Sequence, residues 1–268
     1  MDLRGASADA VAALTDELDS ALSSKTAGAI ADELFTVART LGSEAALRRF
    51  ATDASLPTEA KTGLVGEVFG GKVSDVTLSV LSSAVGRRWT AGRDLPDALE
   101  HLGVVALVTS AGSHTDRLAD ELFAFAQAVK DNPELRDALA DPTRSTADKR
   151  TLLDTLLGGK ATEATIALAA QALAGRHRTV TAALNEYQKV VAAVQSQGVA
   201  TVRVARPLAD AELQRLGDAL AAQYGRPVHL NLLIDPSVIG GISVQIGDDV
   251  IDGTVSSRLD DARRRLVG

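Results

Sequence analysis

The sequence contains no cysteine, which excludes disulfide bridges, thiolate nucleophiles and cysteine-ligated metal sites. Aromatic residues make up only 3% of the chain, whereas 46% of its residues are hydrophobic. Its core must therefore be built from aliphatic side chains and alanine. Because small side chains let helices approach closely, this composition favours a helical bundle over a β-sandwich. The 268 residues suffice for one large or two small domains.

The chain also lacks an excess of positive charge and any long apolar run. Its net charge is -7 and its pI is near 5.2, which argues against nucleic acid as a partner, since nucleic-acid binders usually carry a basic face. No apolar stretch approaches the ~20 residues of a membrane-spanning helix. The first residues, MDLRGASADAV, lack the pattern of a signal peptide. We therefore expect a soluble intracellular chain that reaches a membrane only through its partners.

A helical segment near the N-terminus is repeated later in the chain. The pentapeptide Ala31–Phe35 recurs unchanged as Ala119–Phe123, an offset of 119 − 31 = 88 residues. The register continues without a gap to Arg88 and Arg176. The apolar positions at helical spacing match as well: Ile30, Leu34, Val37 and Leu41 correspond to Leu118, Leu122, Phe125 and Val129. This pattern predicts an internal duplication of a helical unit.

Both copies carry the same signals for ending and starting helices. The glycine pairs Gly70–Gly71 and Gly158–Gly159 suit a left-handed C-cap. Ser74 and Thr162 are good N-caps for the helix that follows. Each copy ends in a further predicted helix, near Leu95 to Val108 and near Val180 to Gln195. The acidic residues of the repeated pentapeptide lie opposite the apolar stripe, which predicts a solvated face made of Asp32, Glu33, Asp120 and Glu121.

Beyond the second copy, the apolar residues no longer recur at helical spacing but alternate with polar ones, as in a strand. Val199 to Ala205 and Val228 to Ile234 predict two strands, and Leu213, Leu216 and Leu220 predict a helix between them. Gly225 ends that helix.

The last part of the chain predicts a hairpin and a helix. Val238 to Ile246, interrupted by Gly240 and Gly241, predicts a strand with a bulge or a close backbone approach. Val250 to Asp252 predicts its partner strand after a tight turn. Thr254 to Arg265 predicts a short helix, with aspartates early and arginines late as the helix dipole favours.

These patterns predict a mainly α protein, with a duplicated N-terminal helical bundle followed by a small α/β C-terminal domain. The predicted domains are residues 1–112 (a first helix near Ala6 to Leu22 plus the first copy), 113–197 (the second copy) and 198–268 (the α/β domain). The main boundary is expected near Gln197–Gly198.

One stretch resembles a nucleotide-binding loop. Gly66 to Lys72 satisfies G-x-x-x-x-G-K, but Val73 stands where the motif needs Ser or Thr, and a helix precedes it instead of a strand. We interpret the glycines as a helix C-cap. No pair of the four histidines (His101, His114, His177 and His229) has metal-ligand spacing. Catalytic, cofactor and metal residues are therefore not expected.

The tail series IDPSVIGGI, followed by IGDDVIDGTVSSRL, resembles the C-terminal signature of the delta subunit of rotary (F-type) ATP synthases. The mitochondrial relative of that subunit is the oligomycin-sensitivity conferral protein. The signature residues, with a structural or a partner-binding role, are Asp235, Pro236, Gly240, Gly241, Gly247, Asp248, Ile251, Asp252, Gly253, Arg258 and Leu259.

The resemblance implies a non-catalytic peripheral-stalk (stator) subunit that links the catalytic head to the membrane-anchored b subunit and resists rotor torque. It implies that the helical region holds N-terminal helices of alpha subunits, for which we favour the second copy. It also implies that the C-terminal domain grips the C-terminal helix of the b subunit. The implied location is peripheral, at the cytoplasmic face of a bacterial cell membrane.

Two alternatives remain open at this point. The chain could be a helical-repeat scaffold unrelated to the synthase. It could also be an α/β enzyme that binds a phosphorylated ligand through backbone amides at Gly240–Gly241, although a structural bend explains that glycine pair better.

Overall fold

A computed structural model describes residues 3–174, 177–195, 198–225, 227–236, 238–246 and 249–255. The chain divides into two compact units, Met1–Val191 and Ala192–Gly268. The first unit is helical and the second contains the described β-sheet. The division falls within the last helix of the second copy, a few residues before the predicted boundary, and the predicted division at residues 112 and 113 lies inside the helical unit.

The helical unit is built from the duplicated segment. Its helices are α1 (Ala6–Ala21), α2 (Ala27–Ser43), α3 (Ala45–Thr52), α4 (Thr58–Phe69), α5 (Asp75–Gly86), α6 (Asp94–Ala111), α7 (Thr115–Asp131), α8 (Pro133–Ala140), α9 (Thr146–Leu157), α10 (Glu163–Ala174) and α11 (Val180–Val194). A 3₁₀ turn at Gly112–His114 joins α6 to α7. We call α2–α6 the first copy and α7–α11 the second copy.

The offset of 88 residues holds for the folded helices. The first four helices of each copy begin and end at corresponding residues, from Ala27 and Thr115 at the start of α2 and α7 to Gly86 and Ala174 at the end of α5 and α10. The predicted duplication is therefore confirmed. The predicted caps are confirmed too: Gly71 and Gly159 both have a left-handed φ of 70°. The Ser74 hydroxyl caps α5, and the Thr162 hydroxyl accepts from Thr165 N at the start of α10.

Helix α6 is surrounded by both copies. It contacts three helices that precede it in the sequence, α1, α2 and α5, and two that follow it, α7 and α10. Twelve of its residues are buried, including Leu95, Leu99 and Leu102, as expected for a helix that is packed on every side. Buried side chains from Leu14 to Val191 form one apolar cluster, so the two copies share a core.

The second unit is a mixed sheet with a helix packed on it. Its described elements are β1 (Gly198–Val204), α12 (Asp210–Tyr224), β2 (Val228–Ile234), β3 (Ile242–Ile246) and β4 (Asp249–Asp252). The strand order is β2-β1-β3-β4, with β1 parallel to β2 and the other pairs antiparallel. The sheet core contains Ala200, Val202, Val204, Leu220, Val244 and Ile246.

One predicted strand is shorter than expected. Strand β3 begins at Ile242 instead of Val238, because Gly241 has a φ of 82° and turns the chain before the ladder with β1 starts. The helix predicted from Thr254 to Arg265 lies almost wholly outside the described residues.

Candidate partner-binding surfaces

The first half of the tail signature forms the connection from β2 to β3. Because β1 lies between these two strands, the connection has to cross the end of β1. The Asp235 amide donates to the Val204 carbonyl at the end of β1 (2.9 Å), and the Val238 amide donates back to the Asp235 carbonyl (3.1 Å). Pro236 lies exposed within this turn. These backbone contacts place Asp235 and Pro236 at the corner where the chain leaves β2.

Gly241 lies where two segments of backbone meet. A β-carbon at this position would clash with the Gly253 carbonyl and would lie 2.9 Å from the Thr254 α-carbon. Two backbone hydrogen bonds join the segments, from Gly253 N to Ile242 O (2.9 Å) and from Val255 N to Gly240 O (3.0 Å). The predicted close backbone approach is therefore confirmed. The chain's own backbone occupies the space beside Gly241 that a phosphate cradle would need.

The second half of the signature lies on and after β4. Ile251 is opposite Val244, and the Thr254 amide donates to the Asp252 carboxylate (2.9 Å). This backbone hydrogen bond lowers the pKa of Asp252 below its ordinary value. Gly247, Asp248, Arg258 and Leu259 lie outside the described residues. The partner-binding role of the signature stays a prediction.

Several large apolar side chains of the second unit are exposed. Ile239, beside the glycine bend, is 79% exposed, and Val250 on β4 is 61% exposed. Ile234, Ile251 and Val255 are also exposed. In contrast, the described residues 3–174 and 177–193 contain no exposed large apolar side chain.

The acidic residues of the repeated pentapeptide do not all form a solvated face. Asp32 is exposed as predicted, but Glu33 is half-buried and accepts hydrogen bonds from the Ser74 amide (3.0 Å), the Ser74 hydroxyl (2.7 Å) and the Thr77 hydroxyl. Glu33 therefore caps the N-terminus of α5. The solvated-face prediction was wrong here because helix periodicity does not show which neighbouring helix ends beside a side chain.

Glu121 makes the same contacts in the second copy. It accepts hydrogen bonds from the Thr162 amide (2.8 Å), the Thr162 hydroxyl (2.9 Å) and the Thr165 hydroxyl. Arg117 adds an ion pair at 2.7 Å. Burial raises the pKa of Glu33 and of Glu121, but the donated hydrogen bonds outweigh it and hold both pKa values below the ordinary value. A Glu located 41 residues before a Ser or Thr cap, in both copies, was the signal available in the sequence.

The helices that these glutamates cap differ on their outer faces. From residue 164 to residue 174, α10 contains no charged residue, and each residue is buried or half-buried. We call four of its half-buried residues, Ile166, Ala167, Ala170 and Leu173, the α10 stripe. The corresponding residues of α5 are Leu78, Ser79, Ser82 and Val85. Two serines thus replace two alanines, and the outer face of the first copy is the more polar one.

The nucleotide-loop pattern has a structural explanation. The Lys72 ammonium donates to the Val68 carbonyl at the end of α4 (2.8 Å), and a β-carbon at Gly70 would clash with the Gly66 carbonyl. The glycines end α4, as interpreted from the sequence.

Metal-ligand clusters are absent from the part of the chain that the structure describes. Within the same residues, no helix has the length and hydropathy needed to cross a membrane. His101 lies on the largely buried α6, and its burial lowers its pKa.

Comparison with known proteins relates both units to one family. Residues 104–266 match the family model described as "ATP synthase delta (OSCP) subunit". A protein of Nocardioides sp. named "ATP synthase subunit delta" is 58% identical over 268 residues, which covers 99% of this chain and 98% of that protein. Proteins of the same name from Kineococcus radiotolerans and Streptomyces avermitilis are 44% and 41% identical, each with at least 98% of both chains covered.

One solved structure is also similar, with a TM-score of 0.32 and 19% identity. It is the cryo-EM structure of the Toxoplasma gondii mitochondrial ATP synthase hexamer, and the similarity covers 62% of this chain and 95% of that chain. At that TM-score the overlap carries no structural conclusion.

The family match covers the second copy and the C-terminal unit. The matched segment begins at residue 104, within α6. The relatives align over their whole length and thus share the additional first copy.

Proposed function

The chain belongs to the ATP synthase delta (OSCP) subunit family, and from this premise we propose how its two units divide the work of a stator. Its role is that of a peripheral-stalk subunit, which is structural and not catalytic. It associates with other ATP synthase subunits and is peripheral to the membrane. The finer assignments, to particular subunits and to the cytoplasmic face of a bacterial membrane, are our proposal.

The second copy holds the N-terminal helix of an alpha subunit. The observation that carries this assignment is the α10 stripe, which is free of charge along the helix and only half-buried. An apolar face of a helix is normally packed against a neighbouring element. An amphipathic helix laid along the stripe would complete its burial, since the alanines leave room for a close approach.

The C-terminal unit holds the end of the b subunit. This unit carries the exposed apolar side chains of the described chain, Ile239 and Val250 above all. A domain of this size buries little surface by itself, and exposed apolar groups of this kind mark binding surfaces. Holding the head through one unit and the membrane anchor through the other would oppose the torque of the rotor mechanically.

A stator link requires that both partners bind at the same time. Isothermal calorimetry of the intact chain with a synthetic alpha N-terminal peptide and a synthetic b C-terminal peptide measures this directly. We expect each peptide to bind with one-to-one stoichiometry, and saturation with one to leave the affinity for the other within about twofold. Competition between the peptides, or failure of either to bind, would contradict the division of labour.

A further inference from the structure

One polar contact crosses from the first copy to the helix that carries the α10 stripe. The Arg39 guanidinium on α2 donates through Nη1 to the side-chain oxygen of Gln171 on α10 (3.4 Å). Its Nη2 donates to the Thr36 hydroxyl on α2 (3.1 Å). The guanidinium is therefore anchored on its own helix and bridges to α10 with its other nitrogen.

Gln171 lies in the interior, beside the stripe. It is 4% exposed and follows Ala167 of the α10 stripe by one turn of helix. A buried amide oxygen that loses its hydrogen-bond donor is costly, and a charged donor makes the stronger bond. The position of this turn of α10 is therefore tied to Arg39.

The duplicated segment does not repeat this contact. At the offset of 88 residues, Gln127 is the counterpart of Arg39, and Ser83 is the counterpart of Gln171. Ser83 instead accepts a hydrogen bond from Arg87 within the first copy (3.4 Å). The repeated glutamate caps serve the fold of each copy, whereas the bond from Arg39 to Gln171 serves the junction between the copies.

A second polar contact joins the copies in their shared core. The Tyr187 hydroxyl of α11 donates to the Glu100 carboxylate of α6 (3.0 Å), and these residues are 2% and 5% exposed. Helix α6 itself contacts both α2 and α10. The first copy thus supplies a helix on which α10 packs and partners for two buried polar side chains of the second copy.

We infer that the first copy supports the partner-binding face of the second copy, and that Arg39 is the residue that positions α10 by acting through Gln171. The part that concerns partner binding rests on the function proposed above. An apolar stripe binds through close packing, so a small displacement of α10 weakens its contact with a partner helix.

Hydrogen exchange of the intact chain, followed by mass spectrometry without any partner, tests the support of α10 directly. Arg39→Ala should speed exchange of the α10 amides by about threefold or more and leave the α5 amides within about twofold. Arg49→Ala, at an exposed arginine of α3 in the same copy, is the matched control and should change neither helix. A general loss of stability would affect α5 and α10 alike, so equal changes in both helices, or none, would overturn the inference.

Affinity for a synthetic alpha N-terminal peptide tests the consequence for binding. Arg39→Ala should weaken binding to the intact chain by about threefold to fivefold, and Arg49→Ala should leave it unchanged. In a Gln171→Leu background, Arg39→Ala should have no further effect, because the acceptor through which Arg39 acts is already absent. An equal effect of Arg39→Ala in both backgrounds would show that it does not act through Gln171. Arg39 is exposed, so the single variant keeps the test decisive if Gln171→Leu does not fold.

The failure of this inference is distinguishable from the failure of the proposed function. If the peptide binds the wild-type chain and Arg39→Ala with equal affinity, the positioning role of Arg39 is wrong while the alpha-subunit assignment stands. If the peptide does not bind the wild-type chain, the assignment fails, and hydrogen exchange still decides whether the first copy supports α10.

Discussion

The two copies of the helical unit share their helix order and helix caps but differ in their surface residues. Both place a Glu of the repeated pentapeptide against the N-terminus of a later helix, and both end a helix on a glycine with φ of 70°. They differ on the outer face of α5 and α10, where two serines of the first copy are alanines in the second. The shared features maintain the fold of each copy, whereas the differing ones change the polarity of its outer face.

A second difference lies in the packing of the repeated pentapeptide. Phe35 of the first copy is 3% exposed and packs where Gly103 of α6 has no side chain. The corresponding Phe123 of the second copy is half-buried, and the residue corresponding to Gly103 is Val191. The first copy thus buries its phenylalanine against the central helix, whereas the second leaves it partly at the surface. This contrast agrees with a structural role for the first copy and a binding role for the second.

The largest expected effect comes from making the first copy resemble the second at this contact. A β-carbon at Gly103 would lie 2.6 Å from Phe35 Cε1, so Gly103→Val forces a buried ring to move. We expect a loss of about 1–3 kcal/mol in the free energy of unfolding, measured by urea denaturation. Gly63→Ala, at an open helical position, should instead stabilise slightly. A neutral Gly103→Val would show that the packing difference between the copies is incidental.

Removing the shared caps should have smaller and similar effects in both copies. Glu33→Ala and Glu121→Ala leave the Ser74–Thr77 and Thr162–Thr165 donors without their carboxylate, which costs about 1 kcal/mol each. The Glu121 variant also loses the ion pair with Arg117, a minor term because Arg117 is largely exposed. Thermal unfolding of the two variants checks this. An effect in one copy only would show that the two glutamate caps do not contribute equally to stability.

The same glutamates predict an acid dependence. Their pKa values are lowered in the folded state from the ordinary 4.5, so the unfolded chain binds more protons as the pH falls. The stabilisation is present above about pH 4.5 and is lost as the pH falls through the folded pKa values. The double variant Glu33→Gln, Glu121→Gln should therefore show a flatter decline of stability below pH 4.5 than the wild type. An unchanged slope would contradict the capping role.

The smallest expected effect concerns the nucleotide-loop pattern, which is strongest in the first copy. Lys72→Ala removes one hydrogen bond to an exposed helix end and should change stability by less than about 0.5 kcal/mol. Calorimetry with ATP and magnesium should detect no binding to the wild type or to the variant. Micromolar binding that Lys72→Ala abolishes would restore the nucleotide-loop interpretation.

The sequence predicted the features that depend on neighbouring residues. The offset of 88, with the Gly71 and Gly159 caps, set the order and positions of the helices because apolar spacing and capping chemistry act within a few residues. The sequence also predicted the succession of elements along the tail, from β1 through α12 to β4.

The sequence did not predict the features that depend on distant contacts. Glu33 was assigned to solvent because its donors lie 41 and 44 residues away. The start of β3 was misplaced because the bend at Gly241 is shaped by the backbone of Gly253 and Thr254. The central position of α6 likewise emerges only when both copies pack against it.

The central claim, that the second copy holds the alpha-subunit helix and the first does not, is tested most directly by a pair of matched variants. Ala170→Arg on α10 and Ser82→Arg on α5 introduce the same side chain at corresponding half-buried positions. The measurement is the affinity of the intact chain for a synthetic alpha N-terminal peptide. We expect Ala170→Arg to weaken binding by more than about tenfold, because it places a charge in the apolar α10 stripe, and Ser82→Arg to leave it within about twofold. Loss of binding on Ser82→Arg, with Ala170→Arg unaffected, would contradict the account and assign the alpha helix to the first copy.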